Sequence, residues 1–188
     1  MRNTHLLLLA GLFLIIVLGG CSQPETKRAS QVLDTNTEKP VTAGLVKGDL
    51  APAFLLAAPD GRQISLESFR QKPVLLYFFT TWCPYCREDL TTLSKVYADY
   101  SAEMSIVAVG MDLGESEEKI GQYKEQFPAL SGVLFLKGNM DILTSYQIKY
   151  TTTKYAVGND GNILYAGSGA LTEQQWRILL DAMTGRAA

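Results

Sequence analysis

The chain has 188 residues, which allows one domain with additional segments, and its 47% hydrophobic content suits a globular core. Its 17 basic and 19 acidic residues give a formal net charge of −2. This balance excludes the strongly basic surface that is typical of nucleic-acid binding.

The first twenty residues have the pattern of an export signal. A short positively charged start precedes an unbroken apolar run from Leu6 to Leu18, which is shorter than the roughly 20 residues needed to cross a bilayer as a helix. The run ends in Leu-Gly-Gly-Cys at residues 18–21, which resembles the bacterial lipobox. We therefore predict a signal peptide at residues 1–20 and lipidation of Cys21. The alternatives are an ordinary cleaved signal with an unrelated cysteine and a retained short anchor.

Removal of residues 1–20 would also remove His5, the only histidine. The remaining chain then lacks the histidine of a Cys-His dyad or of a zinc or copper site, and Arg87 follows Cys86 where haem attachment needs histidine. With Cys21 acylated, only two thiols remain, too few for a four-cysteine metal site. We therefore expect no metal and no cofactor, and a dithiol that cycles between thiol and disulfide.

Residues 21–46 predict a lipidated N-terminus followed by a flexible tether, because polar residues dominate this segment and apolar periodicity is weak. As a coil the tether would span roughly 25–30 Å. This length would hold a folded domain, predicted at residues 47–186, away from a membrane surface.

The first part of this domain predicts a hairpin followed by buried strands. Phe54–Ala57 and Gln63–Leu66 flank a Pro-Asp-Gly turn signal at residues 59–61. Val74–Phe79 and Met104–Gly110 are continuous apolar runs of strand length. Such runs indicate strands that are covered on both faces, and we place them at the centre of the sheet.

The motif Trp-Cys-Pro-Tyr-Cys at residues 82–86 lies between these two strands. It follows an apolar strand and opens a helical stripe, which consists of Cys86, Leu90, Leu93, Tyr97 and Tyr100. At a helix N-terminus the Cys83 sulfur would be exposed beside unpaired N–H groups and the positive end of the helix dipole, which stabilise a thiolate. Cys86, one turn later, could resolve a mixed disulfide. Pro84 suits the first turn, where a missing N–H is harmless.

The second half of the domain predicts further helices and strands. They are a helix with the stripe Ile120, Tyr123 and Phe127, strands at Leu134–Leu136, Tyr155–Val157 and Ile163–Ala166, and a helix that begins at Thr172. The Asn-Asp-Gly-Asn turn at residues 159–162 makes the last two strands antiparallel, and Gln175 completes a capping box with Thr172. The fold class is therefore α/β, with a central mixed sheet sandwiched by helices and an N-terminal hairpin.

Three stretches carry a resemblance to a known family: residues 48–54 with Asp60-Gly61, residues 79–87, and residues 159–161. They resemble the thioredoxin-fold thiol-disulfide oxidoreductases and, more narrowly, the membrane-tethered TlpA/ResA group. The resemblance implies a thioredoxin-like fold, with Cys83 as the nucleophile and Cys86 as the resolving thiol.

The resemblance also implies roles for other residues near the dithiol. In several group members an acid three residues after the second cysteine assists proton transfer, and Asp89 has this position; the alternative is a solvated first-turn acid. Tyr77 stands where thioredoxin has a buried aspartate, and it would be a poor base or simply a packing residue. Trp82 would pack beside the dithiol and shield it. The dipeptide formed by Pro84 and Tyr85 also occurs in glutaredoxins.

A second departure concerns the loop that faces the dithiol, where family members carry a cis-proline. Thr152 aligns with that position. A cis bond before a residue other than proline is costly, so we expect a rearranged loop; a tolerated substitution with ordinary activity is the alternative.

The leading functional hypothesis is a reductase of disulfides in exported proteins, anchored to the bacterial envelope by lipid. The resemblance implies a transmembrane thiol-disulfide carrier as electron donor and apocytochrome c among the candidate substrates. Three alternatives stay open. They are a thiol oxidase or isomerase, a non-catalytic binding module, and a peroxidase, since Thr80 and Cys83 fit half of a peroxiredoxin motif while Leu76 replaces its usual proline.

Overall fold

The computed structural model describes residues 44–186. The signal peptide predicted at residues 1–20, the lipidation site Cys21 and most of the tether lie outside the described residues. Within residues 44–186, no helix is long and apolar enough to cross a membrane.

The strands and the longer helices occur in the predicted order, and a short helix lies between the fifth and the sixth strand. Along the described residues the elements are β1 (Leu55–Ala57), β2 (Gln63–Ser65), β3 (Val74–Phe79), α1 (Pro84–Ser94), β4 (Ser105–Gly110), α2 (Glu117–Lys124), β5 (Leu134–Lys137), α3 (Met140–Ser145), β6 (Thr153–Val157), β7 (Ile163–Gly167) and α4 (Glu173–Thr184).

The central sheet is mixed, with the strand order β5-β4-β3-β6-β7. Strand β3 pairs in parallel with β4 and antiparallel with β6, and β4 pairs in parallel with β5. Strands β1 and β2 form a separate antiparallel hairpin. The predicted central position of β3 is therefore confirmed, and the register places Tyr77 opposite Lys154 on β6.

Alternate side chains of β3 point to opposite faces of the sheet, as the two-residue period of a strand requires. Leu75, Tyr77 and Phe79 belong to the core cluster that includes side chains of α1, α2 and α4. Leu76 and Phe78 belong to the cluster under the hairpin and α3. Tyr77 therefore lies on the same face of the sheet as the helix that carries the cysteines.

Two predicted helices are shorter than their apolar stripes. Helix α1 ends at Ser94, and Tyr97 begins a separate short 3-10 helix although its side chain remains buried. The hydroxyls of Thr91, Thr92 and Ser94 each donate to the carbonyl four residues earlier, and such back-bonding weakens a helix end. Helix α2 ends before Phe127, because the residue preceding a proline disfavours helical geometry.

Helix α4 begins as predicted. Thr172 is its N-cap, and its hydroxyl accepts a hydrogen bond from the Gln175 N–H at 3.3 Å, while Gln175 Oε1 accepts from the Thr172 N–H at 2.9 Å. This reciprocal pair is the predicted capping box.

Candidate active site

The junction between β3 and α1 positions the two cysteines. Cys83 is the N-cap of α1 with an extended backbone, and its Sγ accepts a hydrogen bond from the Cys86 N–H at 3.2 Å. The Cys83 N–H donates to the carbonyl of Thr80 at 3.3 Å. Pro84 occupies the first turn, where it removes no hydrogen bond. A sulfur thus takes the place of the usual capping oxygen.

The reactive-cysteine candidate is less accessible than expected. Cys83 retains 4% of its surface and Cys86 none, so the expectation of an exposed sulfur is wrong. The segment that follows Tyr150 covers Cys83, and the Thr151 Oγ1 lies 3.3 Å from the Cys83 Sγ. A partner must therefore reach the sulfur through a narrow opening.

The two thiols differ in acidity. Burial acts to raise the pKa of Cys83, but hydrogen bonds from the Cys86 thiol, the Thr151 hydroxyl and backbone N–H groups outweigh it, and this pKa lies below its usual value. Burial raises the pKa of Cys86 to about 12, and its hydrogen bond to Cys83 acts in the same direction. Near neutral pH, ionisation therefore falls on Cys83, while Cys86 stays protonated.

Aromatic side chains next to the cysteines and to Thr151 in the sequence are exposed. Trp82 is 64% exposed, and Tyr85 and Tyr150 are similarly open to solvent. The indole Nε1 of Trp82 donates to Asp112 Oδ2 at 3.0 Å, which fixes the ring at the surface. The outer face of the indole is therefore open to solvent, and shielding of the dithiol by Trp82 stays a prediction.

The loop between β4 and α2 also holds the turn that precedes Cys83. The buried Glu115 carboxylate accepts from the Thr81 N–H at 3.2 Å and from the Thr81 hydroxyl, and it pairs with Lys119 Nζ at 2.9 Å. Neither Glu115 nor Asp112 was singled out from the sequence. The available signal was that they follow β4 at the edge of the sheet where β3 also ends.

Asp89 is completely buried, so the alternative of a solvated first-turn acid is wrong. Its Oδ2 lies 2.6 Å from the Nζ of Lys154, which is also completely buried. Its Oδ1 accepts hydrogen bonds from the Leu171 N–H at 2.8 Å and from the Trp176 Nε1 at 2.9 Å. Burial lowers the pKa of the Lys154 ammonium, and the Asp89 carboxylate opposes that shift.

Sequence reasoning missed Lys154, because the predicted strand began at Tyr155, whereas β6 begins at Thr153. The signal that could have found it was an isolated lysine beside the apolar run of β6, paired with an acid placed one turn after Cys86.

Tyr77 is a buried packing residue rather than a base. Its ring is tilted against that of Trp176 at a centroid distance of 6.5 Å, and its hydroxyl donates to the Cys86 carbonyl at 3.4 Å. Burial raises the pKa of the phenol far above its usual value, and the nearby carboxylate of Asp89 adds to this effect. A phenol held in this way does not ionise near neutral pH.

Thr152 has a left-handed backbone, with φ at +56°. A β-branched residue in this region is strained by about 1–3 kcal/mol. Proline cannot adopt it, because its ring fixes φ near −65°. The loop therefore has a shape that a proline at residue 152 would not permit. The buried Thr152 hydroxyl accepts from the Gly169 N–H at 3.0 Å, which helps to hold this shape.

The comparisons with known proteins agree with this geometry. Residues 47–166 match the AhpC/TSA family. The chain is 27% identical over 174 residues to the thioredoxin-like protein YneN of Bacillus subtilis, which covers 92% of this chain and 96% of that protein. It is 26% identical to the thiol-disulfide oxidoreductase ResA of Bacillus thuringiensis over 137 residues, 73% of this chain and 78% of ResA.

Solved structures show the same fold. The thioredoxin domain of a thiol-disulfide oxidoreductase from Bacteroides vulgatus superposes with a TM-score of 0.63 at 24% identity, covering 75% of this chain and 99% of that domain. The predicted thioredoxin-like fold is therefore confirmed.

The unequal environments of the two sulfurs predict two separate ionisations in the reduced protein. We expect thiolate absorbance near 240 nm to rise first as Cys83 ionises, through a pKa lower than that of an ordinary thiol, and the second step to follow near pH 12, where Cys86 ionises. Cys83→Ser should abolish the first step, and a single merged transition of both thiols would contradict the assignment.

The buried ion pair predicts a specific stability pattern. Lys154→Met leaves the Asp89 charge buried without its partner, so it should lower the free energy of unfolding by about 3–5 kcal/mol in urea titrations. Adding Asp89→Asn removes that charge and should recover most of the loss. Equal losses in the single and double variants would show that the pairing is not the stabilising contact.

Proposed function

We propose that this chain, which belongs to the AhpC/TSA family and is a thiol-disulfide oxidoreductase, reduces disulfide bonds of exported proteins. The observation that carries the proposal is the inequality of the two thiols. Cys83 combines a lowered pKa with the small opening, whereas Cys86 is sealed and has a pKa of about 12. Cys83 is thus suited to be the attacking nucleophile, and Cys86 is suited to act second, as the resolving thiol.

The reaction follows from this inequality. The Cys83 thiolate attacks one sulfur of the substrate disulfide, forms a mixed disulfide and releases the other substrate sulfur as a thiolate. Cys86 then gives up its proton and attacks the Cys83 Sγ, which releases the second substrate sulfur. Cys83 and Cys86 end as a disulfide, and two electrons have passed to the substrate.

The surface around the opening suits a polypeptide substrate. Trp82, Tyr85, Met140 and Tyr150 are large apolar side chains with more than half of their surface exposed. Trp82 and Tyr85 follow β3, Met140 follows β5, and Tyr150 precedes β6. Because β5 runs in the same direction as β3 and β6 runs in the opposite direction, these positions lie at one end of the sheet. Exposed apolar groups of this kind mark interaction sites, and they would contact the residues on either side of a substrate cysteine.

The direction of electron flow is proposed from the TlpA/ResA resemblance, which favours a reductase over an oxidase or isomerase. A strongly stabilised thiolate makes a dithiol oxidising, since the reduced form is then favoured. Burial opposes the hydrogen bonds that lower the pKa of Cys83 and so limits this oxidising tendency. From the same TlpA/ResA resemblance we propose that a transmembrane thiol-disulfide carrier donates the electrons and that apocytochrome c is a candidate substrate.

A second candidate, peroxide reduction, is favoured by one observation. The Thr80 hydroxyl is buried three residues before Cys83, and no hydrogen-bond partner for it lies among residues 44–186. Together with the AhpC/TSA match, this leaves a buried hydroxyl that is available to donate to a bound peroxide. Reduced protein that consumes peroxide faster than free cysteine would establish this activity.

The membrane location is proposed from the N-terminal sequence. The apolar run from Leu6 to Leu18 and the lipobox-like residues 18–21 support cleavage after residue 20 and lipidation of Cys21. Residues 21–46 would then tether the domain at residues 47–186 to the envelope, facing the periplasm or the cell exterior.

Covalent trapping tests the proposed reaction in cells. The Cys86→Ser variant can form the mixed disulfide but cannot resolve it, so we expect exported proteins to be captured on Cys83 and released by dithiothreitol. The control variant Cys83→Ser/Cys86→Ser should capture none. Insulin-disulfide reduction that survives Cys83→Ser would contradict the assignment of the nucleophile.

Fractionation tests the proposed anchor. We expect the wild-type protein to incorporate labelled palmitate and to sediment with membranes, whereas Cys21→Ser should lose both properties, because two acyl chains supply most of the membrane affinity. Labelling that persists in Cys21→Ser would contradict lipidation at this residue.

A further inference from the structure

The Lys154 ammonium forms one ion pair and donates two hydrogen bonds inside the core. It pairs with Asp89 Oδ2 at 2.6 Å and donates to the carbonyls of Thr152 at 2.9 Å and Gly169 at 2.7 Å. It also lies over the rings of Tyr77, at 5.1 Å from the centroid, and Trp176, at 5.3 Å. A fully buried cation held by an ion pair and two hydrogen bonds has little freedom to move.

The two hydrogen bonds from Lys154, together with one from Gly169, form a closed ring around Thr152, the strained residue of the loop. Lys154 Nζ donates to the Thr152 carbonyl, the Gly169 N–H donates to the Thr152 hydroxyl, and the Gly169 carbonyl accepts from Lys154 Nζ. Thr152 is thus held on both its backbone and its side chain at φ +56°. Its left-handed conformation persists because these contacts determine it.

The same loop faces both sulfurs. The Thr151 Oγ1 lies 3.3 Å from the Cys83 Sγ, and when that sulfur is ionised the hydroxyl can only donate to it. The backbone of Thr152 faces Cys86 and acts to lower its pKa. A change of the Thr152 backbone would therefore move the groups that contact the dithiol, without any change in α1.

We propose that Lys154 is a positioning residue for the thiol-disulfide exchange, because its ammonium, neutralised by Asp89, fixes the Thr152 backbone so that the Thr151 hydroxyl meets the Cys83 sulfur. This inference rests on the proposed function and adds a residue to it. Lys154 touches neither substrate nor sulfur and acts through the loop. A buried ion pair is seldom needed for stability, since apolar residues of similar volume serve as well. An apolar side chain at residue 154, however, could not donate hydrogen bonds to the two loop carbonyls.

Two matched double variants separate the hydrogen bonds from the charge. Asp89→Asn/Lys154→Gln removes both charges but keeps an amide that donates to the loop carbonyls. Asp89→Asn/Lys154→Met removes the charges and the donors. The measurement is the rate of Cys83 alkylation by iodoacetamide at pH 7 in the reduced full-length proteins. We expect the methionine variant to react about 2- to 10-fold more slowly than the glutamine variant, the effect of one hydrogen bond.

Thr151→Val tests the path of this effect. It should slow alkylation in the wild type and in the glutamine double variant, but it should have little further effect in the methionine double variant, where the hydroxyl has already lost its position. Equal alkylation in the two double variants, or an equal effect of Thr151→Val in both, would overturn the proposal.

Folding failure is also informative. If the methionine variant does not fold, Asp89→Leu/Lys154→Leu replaces it with the same expected outcomes; if neither folds while the glutamine variant does, Lys154 serves stability alone and the proposal is wrong. Cys83 that reacts no faster than free cysteine in the wild type would contradict the proposed function itself, and that result is distinct from a failure of this inference.

Discussion

A sulfur that caps a helix is the contact on which the chemistry of this protein depends. Because Cys83 ends the turn after β3 and accepts the Cys86 N–H, the first sulfur lies where a negative charge is stabilised, while the second lies one turn inside the core. The apolar strand, the proline in the first turn and the buried Glu115 that holds Thr81 all serve to fix this junction. The difference in thiol acidity then follows from this placement together with the hydrogen bond of the Thr151 hydroxyl to Cys83.

Behind the dithiol, the core is unusual in containing a buried ion pair. Asp89 and Lys154 connect α1, the loop before β6, the loop before α4 and α4 itself, since their partners belong to each of these segments. Burying two charges is costly, and the hydrogen bonds around them compensate only if all are made. The Asp89–Lys154 pair therefore links α1, which carries Cys86, to the loop of Thr151 and Thr152 that covers Cys83. A displacement of one of these segments would therefore displace the other.

Local patterns were enough to predict the strands, the dithiol and the capping box, because continuous apolar runs, a Cys-x-x-Cys motif after a strand and a Thr-x-x-Gln pair are each determined by neighbouring residues. Helix ends were predicted less well, since the back-bonding of Thr91 and Thr92 competes with the apolar stripe. The roles of Lys154 and Glu115 and the left-handed backbone of Thr152 were not predicted, because each depends on partners far away in the sequence. Asp89 is the clearest case. The sequence indicated that it lies near the dithiol, but its burial and its pairing with Lys154 were not predicted.

The reduction potential of the Cys83–Cys86 pair tests the central claim most directly. It is obtained by equilibrating the full chain, carrying Cys21→Ser, in glutathione buffers and counting free thiols. The account predicts that both thiols disappear together in one two-electron transition, with a tenfold change in the equilibrium constant for about 30 mV, and with a potential below about −200 mV. Loss of one thiol at a time, or a potential near the −120 mV of a strong oxidant, would contradict it.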